Sequence, residues 1–141
     1  MAYKAGLGYY VAGVAKAHAN GDVDTFTVVG DVLVTLIYGK VTVAAGAACT
    51  ITVGANPTLG TGTTVAYAVA TDVDPLDVGD FITLNYVAGT LTTSLVAVSG
   101  RYQLHAMAGT IFVRGSAVQG TSQWFLYYLP LTSGANIVAI P

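Results

Sequence analysis

Apolar and polar residues alternate with a period of two along much of this chain, the pattern of strands rather than helices. Strand-like runs recur near Thr25–Val29, Val32–Val43, Cys49–Val53, Thr63–Ala70 and Phe81–Val87. They continue at Leu91–Val98, Tyr102–Met107, Thr110–Arg114, Ser122–Leu129 and Ile137–Ile140. Turn signals such as Asn20-Gly21, Gly30-Asp31, Gly79-Asp80, Ser99-Gly100 and Ser133-Gly134 separate them. No stretch long enough for a crossover helix intervenes. Many short strands at this spacing predict an all-β fold: an antiparallel β-sandwich or barrel, jelly-roll-like.

The alternation also shows which strands are buried on one side. In 80–86, Ile82, Leu84 and Tyr86 face one way, and Thr83 and Asn85 the other. Two strands are apolar on both faces. In Val32–Val43, Val32, Val34, Leu36 and Tyr38 oppose Leu33 and Ile37. In Ser122–Leu129, Trp124, Leu126 and Tyr128 oppose Phe125, Tyr127 and Leu129. A sandwich sheet needs only one apolar face. The other must meet a further layer, a ligand or another chain, and in a domain this small another chain is the simplest partner. The pattern therefore points to an oligomer or an assembled particle.

Residues 1–22 read differently. Tyr3, Leu7, Tyr10 or Val11, and Val14 fall at helix-like spacing, but Gly6, Gly8 and Gly13 oppose a helix. The reading is an extended N-terminal arm over 1–22, followed by a single β-sandwich domain over 23–141. Twenty extended residues reach about 66–70 Å, enough to lie across a neighbouring subunit.

Composition narrows the function. Of 141 residues, 9% are charged, against roughly 25% in an ordinary soluble domain. Twenty Val, eighteen Thr and seventeen Gly support strands, and all seven acids are Asp. Disorder and coiled coils are excluded, and five scattered bases cannot build a nucleic-acid patch. The charge-free stretches 41–71, 81–100 and 115–141 are broken by Gly or Pro and do not read as membrane helices. An outer-membrane barrel would fit the length and the nine Tyr, but it needs export, and no export signal is visible. The expectation is synthesis in the cytoplasm, with no membrane partner. The single Cys49, with no basic or His neighbour, reads as a small buried residue.

Candidate chemistry is sparse. Asp72, Asp74, Asp77 and Asp80 fall within nine residues, but their spacing does not match an EF-hand and no bidentate Glu closes the loop. They read as a solvated turn, with no metal expected. His18 and His105 belong to no recognisable nucleophile or metal motif, so no enzyme activity and no cofactor are expected. Arg101 and Arg114 each call for a carboxylate partner or a subunit contact, and Arg114 is the better interface candidate. Trp124, Phe125, Tyr127 and Tyr128 form an aromatic cluster, read as core and interface in preference to a sugar-stacking platform.

The run from Gly115 through Gln123-Trp-Phe-Leu-Tyr-Tyr-Leu-Pro-Leu to Ala139, with Gly30-Asp-Val-Leu-Val-Thr-Leu-Ile-Tyr-Gly-Lys-Val-Thr42, resembles small β-rich virion proteins of tailed bacteriophages. Capsid decoration (cement) proteins are the nearest class. The resemblance implies a structural protein on the capsid exterior. It would bind and stabilise the major capsid protein lattice as a homo-oligomer, with a trimer favoured. No motif aligns residue by residue, so no site is carried over. The apolar second faces and the arm supply the interface candidates: Tyr3, Leu7, Tyr10, Leu33, Ile37, Arg114, Trp124, Phe125 and Tyr127. The competing reading is a glycan- or receptor-binding jelly-roll module of a phage fibre or head fibre.

Overall fold

The computed structural model describes residues 3–4, 6–58, 65–66, 68–83, 85–86, 95–98 and 101–141. The N-terminal segment carries β1 (Tyr3–Lys4), β2 (Gly8–Ala12) and β3 (Lys16–Ala17). Three longer strands follow: β4 (Gly21–Val29), β5 (Val32–Val43) and β6 (Thr50–Pro57). Short strands come next: β7 (Val65–Ala66), β8 (Ala68–Val69), β9 (Thr71–Asp72), β10 (Phe81–Ile82) and β11 (Asn85–Tyr86). The chain ends with β12 (Leu95–Val98), β13 (Arg101–Ala106), β14 (Gly109–Gly115), β15 (Thr121–Pro130) and β16 (Asn136–Ala139). The fold is all-β, with antiparallel sheets consistent with a sandwich and not closed into a barrel.

The large sheet has the order β1-β2-β15-β5-β13-β12, with β3 also on β15 and β10 also on β5. Opposite it, β6 pairs with β14, β7 and β9. The β4–β16 ladder lies beside β14, where Asp24 accepts from the Thr110 hydroxyl and Asp22 pairs with Arg114. The core fills the space between. Trp124, Leu126 and Tyr128 of β15 meet Phe26 and Val28 of β4, Ile51 and Val53 of β6, and Ile111 of β14. Cys49 is buried, as its sequence context predicts. Trp124 fits because its cross-strand neighbour is Gly39; a Cβ there would lie 2.9 Å from the indole Cε2.

Three expectations are corrected. First, the described residues of the N-terminal segment form a β1–β2 hairpin and the short β3, and do not make an arm held away from the domain. β2 and β3 both pair with β15 of the same chain, and Gly13 N donates to the Trp124 carbonyl. The open edge of β15 is satisfied by the chain's own N-terminus. Second, the β5 faces are not those of a strict alternation. The register against β15 passes from Tyr127↔Leu36 to Tyr128↔Val34, leaving Thr35 as an extra residue. This bulge reverses the phase. Val32, Val34 and Ile37 all point inward, and Leu36 and Tyr38 turn out. The Thr35 hydroxyl donates to the Leu7 carbonyl, which holds the β1–β2 turn against the bulge. Third, the expected strand at Phe81–Val87 is split: β10 joins β5, whereas β11 joins β8. Residues 84 and 87 of this run, 63, 64 and 67 of the expected Thr63–Ala70 strand and 91–94 of the expected Leu91–Val98 strand lie outside the described residues.

Candidate functional site

The outward face of the large sheet carries a row of aromatic side chains across four strands. Cross-strand register creates it. Phe125 of β15 sits opposite Tyr38 of β5, and Tyr127 sits opposite Tyr10 of β2. β10 adds Phe81 at the end, beside Lys40. Ring centroids are 5.9 Å apart for Phe81–Tyr38, 5.2 Å for Tyr38–Phe125, 6.3 Å for Phe125–Tyr10 and 5.2 Å for Tyr10–Tyr127. Leu36 flanks Tyr127, and Leu33 pairs with Leu129 on the same face. Phe81 is 60% exposed and Leu36 38% exposed. Among the described outward positions of β2, β5, β10 and β15, Lys40 is the one charge. The Tyr10 hydroxyl titrates above its ordinary value, through partial burial first and then the neighbouring Tyr38 and Tyr127 hydroxyls.

The ring geometry limits what this row can bind. Tyr38 and Phe125 are 22° from parallel at 5.2 Å. Coplanar rings lying side by side would overlap at that spacing, so each covers part of the other's face. A stacking sugar needs a free ring face. The row also offers ring edges and, with Leu33, Leu36 and Leu129, aliphatic surface, which suits an apolar protein surface.

This face gathers Tyr10, Leu33, Phe125 and Tyr127 from the sequence-predicted set, with Leu7 exposed at the neighbouring turn. Tyr3 is in β1, opposite Tyr9 in backbone register. Two candidates are overturned. Ile37 and Trp124 are 5% and 2% exposed and belong to the core, because the Thr35 bulge turns Ile37 inward and alternation along β15 turns Trp124 inward. The aromatic cluster of β15 is therefore two sets on opposite faces, Trp124 and Tyr128 inside and Phe125 and Tyr127 outside. Arg114 is on the other sheet, on β14. It makes a two-pronged pair with Asp22, Nε to Oδ1 at 2.5 Å and Nη2 to Oδ2 at 3.0 Å, and lies 5.0 Å over the Phe112 ring. The Asp22 hydrogen bonds raise its pKa above the ordinary arginine value. It has the carboxylate partner that was one of its two sequence readings. Tyr38 and Phe81 complete the row and were not among the candidates; Phe81 could be found only from its pairing with β5.

A second cluster is buried. His18 lies beside Ser122, and the Trp124 indole donates to the Ser122 hydroxyl at 2.9 Å. This Ser–His pair is not set up as a nucleophile: Ser122 is 1% exposed and already serves the indole. On β13, His105 Nε2 is buried without a hydrogen-bond partner among the described residues.

In the acidic turn, two carboxylates bind their own backbone. Asp72 Oδ1 accepts from Asp74 N, and Asp80 Oδ2 accepts from Asp77 N. Among the described residues, no three His, Cys or Asp side chains converge as metal ligands. Chelation with EDTA is expected to leave the melting temperature unchanged, and Asp74→Ala is expected to cost no more than about 0.5 kcal/mol. A drop of several degrees with EDTA in a thermal melt would contradict this.

Neither protein-family models, nor curated proteins, nor solved structures give a match to this chain.

Proposed function

We propose that the protein is a structural virion component: a capsid decoration (cement) protein of a tailed bacteriophage that binds the major capsid protein lattice from outside. One observation carries the reading. The outward positions of β2, β5, β10 and β15 form an aromatic and aliphatic surface on which Lys40 is the one described charge, with Leu36 and Phe81 exposed. Aromatic enrichment with depleted charge is the composition of an interface centre. A protein seated across a junction between capsid subunits must leave before they separate, so its binding free energy adds to particle stability. Many copies, or a trimer of this chain, make modest contacts sufficient.

The experiment is retention on particles as a function of salt. At 1 M salt the Debye length falls to about 3 Å, which abolishes attraction between exposed charges and leaves apolar burial intact. Attachment through this face is expected to be equal at about 50 mM and 1 M NaCl. Shedding between those concentrations, or no attachment to capsids at either, would contradict the proposal.

A further inference from the structure

We propose that the buried His18–Ser122 pair is an acid-released latch, which fastens β3 to the start of β15 and to the turn at residues 116–120. This is independent of the docking reading.

The hydrogen bonds run in one direction only. His18 is 5% exposed, and its Nδ1 lies 2.6 Å from the Gln119 carbonyl oxygen. A carbonyl can only accept, so Nδ1 carries the proton and Nε2 is bare. Ser122 Oγ, 2.9 Å away, therefore donates its hydrogen to Nε2. The same oxygen accepts from the Trp124 indole at 2.9 Å. His18 N also donates to the Gly120 carbonyl, at 3.1 Å. Indole, hydroxyl, imidazole and carbonyl form one chain in which each donor has one acceptor, and it works only with a neutral ring.

A proton on Nε2 breaks that chain. Two N–H groups then point at Ser122 Oγ, and the hydroxyl hydrogen loses its acceptor. The adjacent cavity, lined by Lys16, His18, Thr25, Val113, Ser122 and Trp124, holds about 10 Å³, room for about one water. Among the described residues, no carboxylate is seen to face the ring and offset the charge. Lys16 of β3, also cationic, lines the cavity and donates to the Asp24 carbonyl. On β4, the Asp22 and Asp24 carboxylates are engaged by Arg114 and Thr110; on β14, Arg114 is held in that same pair. β15 and the 116–120 turn present no ionisable group to the ring. Burial accordingly holds the His18 pKa below its ordinary value, with the Gln119 hydrogen bond acting in the opposite direction.

The element that gives way is short. β3 pairs through only Thr121↔Ala17 and Ser122↔Lys16, whereas β2 is held by a longer ladder and by buried Val11. Opening β3 lets His18 hydrate and charge. The sign follows from proton counting. Above the ordinary histidine value of about 6.5 the ring is neutral in both states and the latch stays closed. Below it, the open form binds a proton that the closed form does not, so opening becomes about tenfold more favourable per pH unit. The gain levels off below the native pKa of His18.

Amide hydrogen exchange of the full chain at pH 7.5 and pH 5.0, corrected for intrinsic exchange rates, tests this. Protection in segments 14–20 and 116–123 is expected to fall at pH 5.0, by up to about 30-fold, with 26–29 and 111–113 unchanged. The protein has two histidines, and His105→Gln is expected to keep the acid response. His18→Gln, which cannot charge, is expected to abolish it. Should His18→Gln fail to fold, wild type against His105→Gln still decides. Unchanged wild-type protection, loss of the response in His105→Gln, or its persistence in folded His18→Gln would each overturn the latch.

Discussion

Trp124→Ala is expected to destabilise the fold by about 3–5 kcal/mol, the range for truncating a buried aromatic. The indole is 2% exposed, sits over Gly39 and contacts the core between the sheets. Its removal leaves a void that Gly39 cannot fill. Total stability of a domain this size is about 5–15 kcal/mol, so the variant should be close to unfolding at 37 °C. Trp124→Phe retains most of the apolar area and loses the donor to Ser122, so about 1–2 kcal/mol is expected. Urea denaturation followed by circular dichroism measures both. A cost under about 1 kcal/mol for Trp124→Ala would show that this residue is not a core anchor.

The second large effect concerns binding, with folding unchanged. Leu36→Glu and Phe81→Glu each place a carboxylate on the outer aromatic face at positions 38% and 60% exposed. In the free protein the new charge stays hydrated, and the stability change is expected to remain within about 1 kcal/mol. In a docked complex it must be stripped of water against an apolar partner, which is costly without a pairing group. Affinity for capsids is expected to fall about 100-fold or more, the scale of an interface hot spot. Val138→Glu is the control: Val138 is 55% exposed on β16, which pairs with β4 and is not a strand of the large sheet, and its variant is expected to attach normally. Sedimentation of particles with bound protein reads all three. Equal binding by Leu36→Glu, Phe81→Glu and wild type would remove the outer face from the mechanism.

Much of this architecture was legible in the chain, for identifiable reasons. β5 and β15 alternate strongly, and their positions followed from that alone. The inner and outer faces of β15 also followed, which placed Phe125 and Tyr127 together. The phase of β5 did not follow, because the Thr35 bulge is a mismatch between two strands and leaves no mark in either. That bulge moved Ile37 to the core and brought Leu36 and Tyr38 to the surface. Trp124 was misplaced by a different error: four neighbouring aromatics were treated as one cluster although they alternate between faces. The glycine-rich N-terminus gave no local sign that β2 would pair with β15, more than 100 positions away. The His18–Ser122 pair spans 104 residues and was equally hidden. Local patterns show where strands are, whereas sites built across a sheet depend on pairing.

The most direct measurement is hydroxyl-radical footprinting of the wild-type protein, free and bound to capsids assembled without it. Aromatic side chains react readily when exposed, so the row reports on its own burial. The account predicts strong protection at Tyr10, Leu36, Tyr38, Phe81, Phe125 and Tyr127 on binding, with Val29 and Val138 of the other sheet unprotected. Protection confined to Val29 and Val138, with the aromatic row still reactive on the particle, would contradict it.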